Sequence, residues 1–139
     1  MNRREPRITI GRIARATAVG AGVGIIANLI VYAIARAIGF DFSVPLPQND
    51  GPMPLLPIAV ITATLIPAIG AGVVWFILNR TVRYPQRSFL LIAGFVLLIS
   101  LAGPFTLSIS LIEQLILNLM HVIAAAAIVW ALIAQSFAS

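Results

Sequence analysis

From Leu111 to Ala134 the chain reads LIEQLILNLMHVIAAAAIVWALIA, an apolar run long enough as a helix to cross a bilayer. Its first half nevertheless carries Glu113, Gln114, Asn118 and His121. Gln114, Asn118, His121 and Ala125 fall at i, i+4, i+7 and i+11, one narrow helical stripe. Polar groups facing lipid are costly, so the stripe is expected to face other protein. Three more apolar runs supply that protein, at about 17–38, 55–79 and 88–103. Only 9% of the residues are charged and 60% are hydrophobic. Soluble domains carry about 25% charged residues, so this chain lacks the charge to clothe a water-exposed surface. The class is integral membrane protein.

Charge then orients the spans. All nine basic residues are Arg, and the formal net charge is +5. A basic chain can signal nucleic acid, but here the Arg residues stand at the ends of apolar runs, where headgroups meet them. Arg3, Arg4, Arg7, Arg12 and Arg15 precede span one; Arg80, Arg83 and Arg87 lie between spans two and three. The other two connections hold acids, with Arg36 the only base beside them. The positive-inside rule puts both termini in the cytoplasm. The expected fold is an all-α membrane protein, an antiparallel four-transmembrane-helix bundle forming a single domain over 1–139. No nucleic-acid partner is expected, and the bilayer is the first partner. With no Cys, disulfides, thiolate metal sites and thiol-linked quinone redox chemistry are excluded.

In chain order, residues 1–16 read as a basic cytoplasmic tail. A short interfacial helix over Ile8–Ala16 is the competing reading. Span one exceeds the roughly 7–15 apolar residues of a cleaved signal peptide, so it is expected to stay. Gly20 and Gly24 are spaced for close helix approach, on one face with Thr17, Asn28, Val31 and Ala35. Residues 39–54 form an outer loop whose Pro45, Pro47, Pro52 and Pro54 forbid regular helix, with a turn signal at Asn49-Asp50-Gly51. A short extended segment fits 42–47, and Phe40 and Phe42 are expected at the interface or on the bundle mouth. Pro57 suits a first helical turn. Pro67 should kink span two, its freed carbonyl met by a neighbour or by Thr62 or Thr64. Ala59, Ala63, Gly70 and Val74 give a small-residue face. Trp75 and Tyr84 are expected as interfacial anchors. Gly103-Pro104 should end or bend span three.

Two constellations merit chemical attention. Asn28, Thr64, Ser100, Asn118 and His121 reach similar depth at about 1.5 Å per helical residue, a candidate midplane polar cluster. Interhelical hydrogen bonding that holds the bundle together is the blander reading, and it is favoured over a transport or catalytic site. A single His with no His, Cys or carboxylate at helical spacing is a poor metal or haem ligand, and no cofactor is expected. Arg36 and Glu113 form a candidate outer-rim ion pair. The alternative is that Arg36 snorkels outward and Glu113 caps its own helix.

The segments ANLIVYAIARAIGFDF (27–42), PLP (45–47), TLIPAIGA (64–71), LAGPF (101–105) and LNLMHVIAAAAIV (117–129) resemble an uncharacterised bacterial family of small four-helix membrane proteins, a domain of unknown function. The resemblance spans nearly the whole chain. It implies a four-span protein of the bacterial inner membrane, and no reaction or ligand. Three functions compete. The favoured one is a non-enzymatic binding or accessory module for a protein or lipid partner, or a homo-oligomer. A small transporter or channel subunit would use the cluster around His121, but span one offers Asn28 where proton coupling would want an acid. A lipid-modifying enzyme would need an acid within reach of His121.

Overall fold

The computed structural model describes residues 8–45 and 51–136. Residues 1–7 of the basic tail, Pro47, Asn49-Asp50 and the last three residues lie outside the described residues. Four helices account for nearly all of the rest: α1 (Ile10–Ala37), α2 (Pro57–Thr81), α3 (Pro85–Phe105) and α4 (Leu111–Ser136). Each is long and apolar enough to cross a membrane. Between α1 and α2 lies a small ribbon of β1 (Ser43–Pro45) and β2 (Pro52–Pro54), antiparallel, with Val44 opposite Met53.

Local chemistry explains the boundaries. α1 starts well before residue 17, because Thr9 caps it by accepting the Arg12 N–H and nothing interrupts the helix after that. Residues 10–16, read as tail or interfacial helix, are therefore the first turns of α1 itself. At the other end Gly39 sits at φ 101°, and the N–H groups of Gly39 and Phe40 donate to Arg36 and Ala35. This is a Schellman stop, which only a residue free of a Cβ adopts cheaply. Pro57 occupies the first turn of α2 and Pro85 that of α3. Pro104 does not end α3, which runs one residue beyond it to Phe105.

α1 is the spine of the bundle. It packs most closely on α4 and then on α2, while α3 leans mainly on α4 and only lightly on α2. The close approach comes from glycine. A Cβ on Gly20 would come within 2.9 Å of the Ile128 backbone, and one on Gly72 would strike Thr17. The face of α1 that carries Gly20, Gly24, Asn28 and Ala35 is buried, as its spacing predicts. The core gathers Ile13, Ala16, Ala68, Trp75, Phe89, Ile128 and Leu132. Trp75 is not an interfacial anchor: it is fully buried, edge-on to Phe89 with ring centroids 5.0 Å apart. A large ring fills the wedge that a small-residue helix leaves open, and this pair ties α2 to α3 beside their short connection. Large apolar side chains such as Leu91, Leu98 and Ile66 point outward, the surface a lipid-embedded bundle requires.

Candidate functional site

Because α2 and α3 are fastened near one end and touch only lightly elsewhere, a space remains between them. Its volume is about 560 Å³, within the ~300–1,000 Å³ range of small-molecule pockets. The α2 wall includes Ala59, Ala63, Pro67 and Ala71, one small residue per turn, beside Val60 and Thr64. The α3 wall includes Ala93, Val96 and Ser100, and α4 contributes His121 and Ala125. Ala63, Pro67, Val96 and Gly103 are exposed as well as lining the cavity, so its mouth lies between α2 and α3. The walls carry no Arg, Asp or Glu among the described residues.

Four members of the polar cluster line this cavity: Asn28, Thr64, Ser100 and His121. Asn28 Nδ2 donates to Thr64 Oγ1 at 3.2 Å, and the Thr64 hydroxyl donates to the Val60 carbonyl at 3.0 Å. With its proton spent, Thr64 can only accept, which fixes the Asn28 amide with nitrogen toward Thr64. Asn28 Oδ1 is then buried without a partner among the described residues. Ser100 donates to Leu97 at 2.7 Å, the ordinary back-bond of a helical serine. His121 Nδ1 lies 2.7 Å from the Leu117 carbonyl. A carbonyl only accepts, so Nδ1 bears the proton, and Nε2 has no partner among the described residues. Asn118 does not line the cavity; it is buried, and its Oδ1 also lacks a partner among the described residues. Gln114 serves the chain just before α4, donating to the Leu107 and Ile109 carbonyls.

Pro67 removes the usual donor of the Ala63 carbonyl, on the cavity wall. Neither threonine replaces it. Thr62 donates to Ile58 and Ala59, and Thr64 to Val60.

The ion pair of Arg36 with Glu113 does not form. Arg36 instead holds Asp41, at 2.8 Å, because the Schellman turn brings that carboxylate back beside the helix end. Glu113 is occupied elsewhere. One oxygen accepts the Ser110 N–H at 2.9 Å and its hydroxyl at 2.7 Å, while Ser110 Oγ accepts the Glu113 N–H. That is a capping box, and its Ser-x-x-Glu spacing was there to be read in the sequence. The other oxygen accepts the Phe42 N–H at 2.9 Å. Phe42 is fully buried at φ 48°, stacked on Tyr32, whose hydroxyl donates to the Leu55 carbonyl at 2.6 Å. Leu55 N–H donates in turn to the Phe42 carbonyl. No spacing rule foretold the Phe42 contact, which joins residues 71 apart in the chain.

Four bilayer-length helices, with a cavity and an uncharged polar patch between α2 and α3, define a helical membrane protein. The chain belongs to the family of unknown function DUF6069, whose model matches residues 8–137. No curated protein and no solved structure matches it.

Proposed function

We propose that this chain is a multi-pass module of the bacterial plasma membrane that binds a lipid-like molecule inside its bundle, without catalysing a reaction. In this reading neighbouring helices are antiparallel and both ends are cytoplasmic. The facing residues support the first point: Gly20 lies by Ile128 and Gly24 by Ala124, so one number climbs as the other falls. The Arg80–Arg87 connection supports the second. The observation that carries the function is the cavity, with apolar walls, a mouth between two lipid-facing helices and a small polar patch. His121 has an accessible neighbouring space but bonds a backbone carbonyl, and among the described residues no carboxylate lines that space to serve as its acid or base. Binding fits this arrangement better than catalysis.

The test is photolabelling of the full chain in bilayer nanodiscs with hexadecanol bearing a mid-chain diazirine. Label is expected on Val96 and Ala125 of the cavity, above the background on the outer residues Leu91 and Leu98. Ala93→Phe, which fills the cavity, should remove the first signal and leave the second. Equal labelling of both sets, unaffected by Ala93→Phe, would overturn the proposal.

A further inference from the structure

The hydroxyl protons of the polar patch and the ring proton of its histidine are already committed. Thr64 gives its hydroxyl proton to Val60, Ser100 gives its own to Leu97, and His121 gives the Nδ1 proton to Leu117. Asn28 spends one of its two amide protons on Thr64, and the residue is itself buried. Two acceptors are left without a partner among the described residues: His121 Nε2, and the buried Asn28 Oδ1. His121 Nε2 is neither sealed in the interior nor bonded to a described residue, and its ring lines the cavity. Neutral imidazole with a protonated Nδ1 offers a lone pair at Nε2. A guest that brings only a carbonyl or ether oxygen would set acceptor against acceptor.

Two further features narrow the guest. No charged side chain lines the cavity among the described residues, so a phosphate head would be buried with nothing to balance it. The volume of about 560 Å³, at roughly 30 Å³ per non-hydrogen atom, the share of a water in the liquid, holds roughly twenty such atoms. That accommodates one alkyl chain.

We infer that the cavity takes an uncharged single-chain or isoprenoid alcohol, whose hydroxyl donates its hydrogen bond to His121 Nε2. This rests on the cavity reading above and adds the head-group chemistry to it. The experiment compares photoreactive hexadecanol with its methyl ether, which has the same chain and oxygen but no donor. Both are titrated against the wild-type chain, His121→Ala and His121→Gln in nanodiscs. Wild type should bind the alcohol about tenfold more tightly than the ether, the usual worth of one such bond. His121→Ala should remove the preference, and His121→Gln, whose amide oxygen can reach a similar position, should restore part of it. Equal binding of alcohol and ether by wild type, or an unchanged preference in His121→Ala, overturns the hydroxyl assignment and leaves the cavity standing. Loss of cavity labelling by both probes overturns the cavity reading itself. A persistent preference in Ala93→Phe would place the discriminating group outside the cavity and overturn both.

Discussion

Glu113 shows how one side chain can serve two levels of structure. It closes the capping box of α4 with Ser110, and its second oxygen holds the Phe42 backbone. Phe42 stands in a left-handed conformation that costs a bulky residue on the order of 1–3 kcal/mol. Burial of its ring, the stack on Tyr32 and the two backbone hydrogen bonds offset that strain. Glu113→Gln keeps the shape but turns one accepting oxygen into a donor, so either the Phe42 bond or the two Ser110 bonds are lost and the remainder lose their charge assistance. Thermal unfolding in detergent should show a loss of about 1–2 kcal/mol, the range of a lost helix cap. Asp41→Asn, which breaks the exposed pair with Arg36, should cost well under 1 kcal/mol in the same measurement. If the two variants lose the same amount, Glu113 does not fasten the loop. The capping role was legible in the Ser-x-x-Glu spacing. The Phe42 role was not, because it depends on how two distant segments meet.

At the scale of elements, glycine decides which helices come together. Gly20 meets the Ile128 backbone, whereas Gly22 and Gly94 have nothing within 4 Å of a built Cβ. Gly20→Ala should therefore force α1 from α4 and cost about 1–3 kcal/mol. Gly22→Ala and Gly94→Ala should be neutral or stabilise by up to about 1 kcal/mol, since alanine restricts the unfolded chain and fits both helices. Unfolding midpoints of the three variants give the comparison, and a Gly20→Ala protein as stable as Gly22→Ala would contradict the packing. The motif pointed to Gly20 and Gly24 correctly, but Gly72 and the open environment of Gly22 needed the neighbours. Ala59 and Ala63 illustrate the same gap. Their small size looks like a packing face in sequence, yet here it opens a cavity, because α2 and α3 pack only lightly on each other.

For the whole molecule, the inferred orientation places the Arg80–Arg87 turn with the amino terminus and the α3–α4 connection opposite. The chain has no Cys, so single replacements report cleanly. In intact cells, a membrane-impermeant maleimide should label Ser108→Cys and spare Arg83→Cys; permeabilised cells should label both. The reverse pattern would refute the orientation. What the sequence determined on its own is the solvent and the elements. Long uncharged runs admit only helices in a bilayer, because each helix satisfies its own backbone there. Helix-stop chemistry at Gly39 and the starts at Pro57 and Pro85 are equally local. What only the tertiary structure decided is which helix neighbours which, and so where volume is left over. The partners of Arg36, Glu113 and His121 and the space between α2 and α3 depend on distances among side chains far apart in the chain, and hydropathy and helical period carry no information about those distances.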